Sequence, residues 1–307
     1  MTTLRNGFLA LLLGITYTLT ASQISSITFT DVDKGWNSNE LVKLYFHNSE
    51  TQRQWAWEIL SKISWTGNEK VLDFASRDGK ISAEISRLAS RGSVLGVDVS
   101  ECMVHFARIN FPIYAYHNLQ FAQSQSLNFS DLPGAQDCDL VTALTAFHLI
   151  SNPVEVLKNL KTHLKPTGKL LLTIPTGKNN ALSEAANEIF QKYGMNTPWD
   201  SNTAATDFSG TSMRTADGAS AVLEAAGYTI ESIELISTDN PFTDIDDLII
   251  WHIGTASATW QIPPTIAPAF FTDLVNRMGE LNPEMIDSEG RVRFAMPRLH
   301  VIASLQN

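Results

Sequence analysis

Val71-Leu72-Asp73-Phe74-Ala75-Ser76-Arg77-Asp78-Gly79-Lys80, with Gly96-Val97-Asp98 downstream, decides the fold. A short apolar strand runs into a tight turn and a helix start, and a second strand ends in a carboxylate. Two adjacent parallel strands laid out in this way offer a site for a nucleoside-bearing cofactor across their carboxyl ends. Asp98 follows Asp73 by 25 residues, about the distance at which a strand-end carboxylate meets ribose hydroxyls. Its alternative role is a turn or cap aspartate beside Ser100. Asp73 closes an otherwise apolar strand, where burial is costly unless the carboxylate is hydrogen-bonded. It therefore either fixes the loop, reaches the ligand through water, or sits at a solvated strand end. Gly79 allows a helix to pack closely on the strands and equally serves as a plain turn glycine.

Outward from this stretch, the chain from Lys70 to Ile174 alternates strand and helix patterns. Strands are expected at 71–74, 93–97, 119–122, 140–144 and, after the Pro166-Thr167-Gly168 turn, 169–174. Helices are expected at 79–88, at 100–109 behind a Ser100 cap, and at 153–164 with Pro153 in the first turn. Short apolar strands between amphipathic helices imply a parallel sheet covered on both faces. Upstream, Leu41, Leu44, Trp55, Ile59 and Ile63 suggest one or two helices, and residues 23–39 read as a polar linker. Downstream come a helix over 179–193, a polar loop over 199–212, a helix over 217–226 and a strand over 228–236. The stretch 241–281 reads as helical and apolar, and a last strand falls near 299–304.

The chain has 307 residues, 44% of them hydrophobic, enough for a full core in one large domain or a domain with a cap. A formal net charge of -10 argues against a nucleic-acid partner, which would favour a basic face. Cys102 and Cys138, the only two cysteines, form no metal-ligand or disulfide pattern. Arg5, the apolar run Phe8–Ile15 and the small residues Thr20-Ala21-Ser22 read as a signal peptide or N-terminal anchor over residues 1–22, too short for a stable membrane span. An amphipathic helix or an upstream start-site error reads the same residues otherwise. Localisation stays open accordingly: cytoplasmic without a signal, exported or periplasmic with one.

Asp73, Gly79, Asp98 and Leu164-Lys165-Pro166 before Gly168-Lys169-Leu170-Leu171-Leu172 occur in an order that resembles the class I S-adenosylmethionine (SAM) dependent methyltransferases. The chain is most similar there to the trans-aconitate and juvenile hormone acid methyltransferase group, whose N-terminal helix the pattern Trp36…Tyr45…Ser49…Gln52 also resembles. The resemblance spans residues 36–305. It implies an α/β, Rossmann-like seven-stranded sheet with helices on both faces, a cofactor-binding core over 66–176, and a small helical cap with C-terminal strands over 177–305. It implies SAM as cofactor, a small-molecule acceptor, which a carboxylate would suit, and cofactor contacts at Asp73, Ala75, Arg77, Gly79, Asp98, Val99 and Gln125. Tyr45 and Gln52 would close over the cofactor, although plain helix packing explains them too. His148, just beyond the fourth strand, sits where the acceptor approaches in that family, as a base or a hydrogen-bond donor; its other role is a half-buried structural histidine.

The chain departs from the pattern at three positions. Glycine is expected at 75 and 77, where Ala75 and Arg77 stand, and aspartate where Gln125 stands. The Arg77 guanidinium either blocks the pocket or pairs with the cofactor carboxylate, for which its planar fork is suited. Leu149 replaces the tryptophan that tends to follow the histidine. Trp251, His252 and Trp260 could line an acceptor pocket, or simply form core, since aromatic stripes at helical spacing usually do. No Asp/His cluster indicates a metal, and Lys80 alone is not a phosphate loop. An alternative function follows from the altered turn and the signal-like N-terminus: a catalytically degenerate, exported member of the fold that binds another ligand or a protein. A dinucleotide is disfavoured, because a pyrophosphate needs the closest backbone approach and the glycines are missing.

Overall fold

The computed structural model of the chain describes residues 38–124, 132–150, 152–176, 180–196 and 213–306. The signal-like segment, Trp36, Gln125 and the whole of the expected 199–212 loop lie outside the described residues.

Two short helices, α1 (Asn39–Asn48) and α2 (Glu50–Leu60), precede the sheet and break at Ser49. The break has a local cause: the Ser49 hydroxyl donates to Asp78 at 2.7 Å instead of capping α2. The core then alternates β1 (Lys70–Phe74), α3 (Lys80–Leu88), β2 (Ser93–Asp98), α4 (Glu101–Asn110), β3 (Leu119–Gln123), β4 (Cys138–Leu144), α5 (Pro153–Lys161) and β5 (Leu164–Pro175). These strands run parallel. Ser100 caps α4 by accepting from Met103 N at 3.1 Å, and Asn152 caps α5 ahead of Pro153.

After β5 come α6 (Asn180–Lys192), α7 (Ala216–Ala225), β6 (Tyr228–Ile236), β7 (Asp239–Phe242), α8 (Ile245–Ala256), α9 (Ala267–Leu281), β8 (Val292–Ala295) and β9 (Arg298–Leu305). The main sheet has seven strands in the order β3-β2-β1-β4-β5-β9-β6. β9 is antiparallel to both of its neighbours. The strand order reverses at β1, with β2 on one side and β4 on the other, so a crevice opens at the carboxyl ends of these three strands.

Each face of the sheet is covered. α5 and α7 bury Leu157, Leu160 and Leu223 on one side. α2, α3 and α4 bury Ile59, Ile85 and Ala107 on the other. The α3 side is tight enough to require glycine twice: a Cβ on Gly79 would lie 2.7 Å from the Phe121 ring, and one on Gly96 would lie 2.6 Å from it. A separate apolar cluster joins α6, α8, α9 and the β7–β8 ribbon into a cap.

Three expectations need correction. The stretch 241–281 is not helical throughout, because its start pairs as β7 with β8, a two-stranded ribbon in which Asn240 donates its amide to Phe294 O at 2.9 Å. β5 starts at Leu164, so the Pro166-Thr167-Gly168 turn lies inside the strand, where the pairing shifts between Cys138 and Leu140. α5 stops at Lys161. No helix among the described residues is long and apolar enough to cross a membrane.

Candidate active site

The turn after β1 keeps a backbone made for glycine while carrying other residues. Ala75, Arg77 and Gly79 all have positive φ, at 58°, 51° and 80°. For an L-residue the left-handed region costs about 1–2 kcal/mol, so something must hold the turn. Ser76 N donates to Val97 O and Gly79 N to Ser76 O, both at 3.0 Å. Arg77 N donates to Asp98 Oδ2 at 2.9 Å, and Ser100 N to Asp98 Oδ1 at 2.9 Å. Asp98 is thus buried, fixed at the end of β2 and raised in pKa by its burial. With backbone N–H partners at Ser100, Arg77 and Val99, the carboxylate keeps capacity for a further donor.

Asp73 is used internally. Its two oxygens accept from Ser82 Oγ at 2.5 Å and Thr142 Oγ1 at 2.7 Å, tying β1 to α3 and β4. Burial pushes its pKa up to about 6, against the lowering effect of those two hydroxyls. Of the roles open to it in the sequence, fixing the local frame is the one these bonds describe, and the solvated strand end is overturned, since Asp73 is buried.

Arg77 carries its side chain out of the turn. Nη1 donates to the Tyr45 hydroxyl at 2.8 Å and Nη2 to Thr145 O at 2.7 Å, with the guanidinium 5.4 Å from the Tyr45 ring centre. It therefore spans from α1 to the residue after β4. Lys80 pins the same helix pair from the other side, donating to Phe46 O at 2.6 Å and Ser49 Oγ at 2.9 Å. Thr145 itself has a positive φ of 66°, which swings its carbonyl toward the guanidinium.

Beyond Arg77 lies a cavity of about 320 Å³ between the strand ends and the cap. Its walls include Trp55, Leu182, Trp251, Trp260, Phe294 and Met296, and its charged lining residues are Arg77 and Arg214. No aspartate or glutamate lines it among the described residues. His148 lines it as well, from a single 3₁₀ turn at Phe147–Leu149. Burial first, then the charges of Arg77 and Arg214, hold the His148 pKa well below the ordinary histidine value, so the ring stays neutral near pH 7. Its Nδ1 has no partner among the described residues.

Of the residues singled out in the sequence, Arg77, Gln52, His148, Trp251, His252 and Trp260 come together around this cavity. Tyr45 joins through Arg77, and Asp73, Ala75, Gly79 and Asp98 build the turn beside it. Val99 is 61% exposed at the end of β2. Gln125 lies outside the described residues. Arg214, Thr145 and Met296 were not legible as site residues; the positive φ of Thr145 and the cap's placement of Arg214 are tertiary effects with no local sequence signal.

The comparisons agree with this geometry. Residues 72–170 match the family described as Methyltransferase domain. The trans-aconitate 2-methyltransferase of Variovorax paradoxus (strain S110) is 20% identical over 262 residues, covering 85% of this chain and 96% of that protein. That of Delftia acidovorans (strain DSM 14801 / SPH-1) is 21% identical, covering 86% and 97%. The crystal structure of protein BH2331 from Bacillus halodurans C-125 superposes with a TM-score of 0.53 at 17% identity, covering 82% of this chain and 99% of that one, a likeness of fold. Residues 72–170 thus match a methyltransferase domain, and the chain is similar in fold to methyltransferases, with a sheet whose strand order reverses beside a turn of this shape.

Proposed function

We propose that the chain transfers the methyl group of SAM to a carboxylate of a small, lipophilic acid held under the cap. One observation carries this reading: the cavity against the cofactor turn is walled by aromatic and aliphatic side chains, and the charged residues among its described lining are two arginines. Buried cationic groups facing an apolar cavity favour an anionic ligand.

The residues present fit the cofactor. The backbone of Ala75 and Arg77 keeps the left-handed conformation that glycine would adopt, so the turn retains its shape. Asp98, at the end of β2, would accept from ribose hydroxyls, with Val99 next to it toward the base; the expected contact at Gln125 lies outside the described residues. Arg77 donates to two neutral oxygens, Tyr45 OH and Thr145 O, which a carboxylate would outcompete as acceptors. Asp73 and Gly79 shape the turn, and Gln52 and Tyr45 close it from the N-terminal helices. In this division residues 66–176 form the cofactor half and residues 177–305 supply the cap and the last strands.

When bound, SAM supplies an electrophilic methyl group on a sulfonium. A carboxylate is already a nucleophile, so the chain's residues need only bind it, orient it and exclude water. Arg77 and Arg214 hold the acid, and the neutral His148 hydrogen-bonds it without taking a proton. Incubation of the full chain with methyl-labelled SAM and a panel of lipophilic acids tests this. Label should appear in base-labile methyl esters; transfer only to hydroxyl or amine acceptors overturns the reading.

A second reading, ligand binding without transfer, is favoured by the same Arg77 bridge from Tyr45 to Thr145 across the mouth of the crevice. Calorimetric titration with S-adenosylhomocysteine separates the two, because only the first requires that ligand to bind.

A further inference from the structure

The cavity has a second polar end, on the cap. Trp251 and His252 are consecutive on α8, both line the cavity and both are buried, at 6% and 1% exposure. Their rings meet edge to face, with centres 4.9 Å apart. His252 Nδ1 lies 2.9 Å from Leu248 O. A carbonyl can only accept, so Nδ1 carries the proton and Nε2 presents a bare lone pair. Burial lowers this histidine to about 4, which keeps it in that neutral form.

Neither His252 Nε2 nor the indole N–H of Trp251 has a partner among the described residues. Buried donors and acceptors are normally paired, so an adjacent unpaired donor and acceptor in a ligand-sized cavity is informative. Nearby groups are already committed. The Thr255 and Ser257 hydroxyls donate to Trp251 O and Ile253 O, each at 2.7 Å. Another indole in the wall is satisfied as well, since Trp55 Nε1 donates to Asn240 Oδ1 at 3.0 Å. The surroundings of the pair are otherwise aromatic, with Phe294 and Phe271 ring centres 5.5 Å and 6.0 Å from His252.

We infer that Trp251 and His252 form a hydroxyl-recognition subsite, so that the preferred acceptor is a lipophilic acid bearing a hydroxyl away from its carboxylate. The hydroxyl oxygen accepts from Trp251 Nε1 and its proton is donated to His252 Nε2. A hydroxyl is the smallest group that answers both atoms at once, whereas a charged group would be stranded in an aromatic wall. The two ends of the cavity thereby take different chemistry: cationic at Arg77 and Arg214, neutral donor-plus-acceptor on α8. This subsite rests on the acid-acceptor reading above and extends it.

The test is calorimetric binding to the full chain, in the presence of S-adenosylhomocysteine, of ω-hydroxy acids and the matching plain alkanoic acids from hexanoate to dodecanoate. A site built to bond a hydroxyl discriminates strongly against the analogue lacking it. At the best-fitting length the hydroxy acid should bind about tenfold or more tightly. Trp251→Phe and His252→Phe, each checked for native circular dichroism, should reduce that ratio to near one while leaving plain-acid affinity within about threefold. Equal wild-type affinity for both members at every length overturns the subsite while leaving the acid-binding end intact. A ratio that survives both substitutions also overturns it. Binding of neither series overturns the subsite together with the acid-acceptor reading on which it rests.

Discussion

Arg77 Nη1 donates to the Tyr45 hydroxyl at 2.8 Å, which makes a residue in a glycine position the link between the cofactor turn and the N-terminal helix. Because Nη2 of the same side chain reaches Thr145 O, one guanidinium ties three segments that converge only in the folded chain. Tyr45→Phe removes one acceptor from a buried cation and leaves the packing of the ring intact. Hydrogen bonds to charged groups contribute about 1.5–3 kcal/mol, so urea denaturation should show a loss of roughly that size. A change below about 0.5 kcal/mol would show that Nη1 finds another acceptor at little cost.

Arg77→Gly tests function at the same position. Glycine adopts a φ of 51° without strain, so the turn itself should survive. The cavity loses one of the two charged residues in its described lining, and KM for an acid acceptor should rise about tenfold or more, with a smaller change in kcat. Affinity for S-adenosylhomocysteine measured on the same variant is the discriminator. If wild-type protein shows no binding and the variant does, Arg77 is a plug and the non-catalytic reading stands.

The fold was largely legible because its signals are local. Val71–Phe74, the Gly79 turn and Asp98 are neighbours in sequence as well as in space, and the strand and helix periods around them are short-range properties. The cap was less so. Asp239–Phe242 contains Pro241 and pairs with Val292–Ala295 about fifty residues later, a partnership that no local period announces. The site divides in the same way. Asp73, Arg77 and His148 could be named from their positions after strands, whereas Arg214 and Thr145 matter only because the cap and a left-handed carbonyl bring them to the cavity. Asp73 also shows where a residue can be named and its partners missed: Thr142 meets it across the sheet.

Asp73 makes stability depend on pH in an unusual direction. Its folded pKa, about 6, is above the ordinary 3.8, so between these values the folded state holds the proton more tightly than the unfolded one. Stability therefore falls as pH rises from about 4 to about 6, and the cost of the buried charge is complete above that. Two units correspond to about 2–3 kcal/mol. Asp73→Asn cannot ionise, so the difference in stability between wild type and variant should shift by about this amount in favour of the variant as pH rises through the window. Parallel urea titrations of both proteins across that range measure it, and parallel curves would disprove the assignment.

Glu58 and Arg298 join α2 to β9 beneath the cap. Arg298 is fully buried, paired with Glu58, hydrogen-bonded to Thr238 Oγ1 at 3.0 Å and stacked 5.1 Å from the Trp55 ring centre. Removing one partner of a buried pair leaves an uncompensated charge, at a cost of about 3–5 kcal/mol. Glu58 is itself partly exposed, so Glu58→Ala should fall toward the lower end, about 3 kcal/mol. Arg298→Met removes the charge together with its need for a partner and should cost less than Glu58→Ala. Chemical denaturation of the two variants gives the order; the reverse order would mean that the arginine's stacking on Trp55 outweighs its charge.

His148 offers a test of how the acceptor is activated. Burial and two neighbouring guanidinium groups keep its pKa well below the histidine norm, so the ring is unprotonated from weakly acidic pH upward. A catalytic base with an ordinary histidine pKa would give kcat/KM an ascending limb near pH 6.5. With an acid acceptor, already ionised, no such limb should appear, and kcat/KM should be flat from about pH 6 to 8. His148→Ala should then lower kcat/KM by about ten- to a hundredfold through loss of a hydrogen bond to the acceptor, and leave the profile flat. His148→Asn, which retains a donor, should recover part of that loss. An ascending limb in the wild type that disappears in both variants would instead make His148 a proton acceptor, and would point to a hydroxyl or amine as the group methylated.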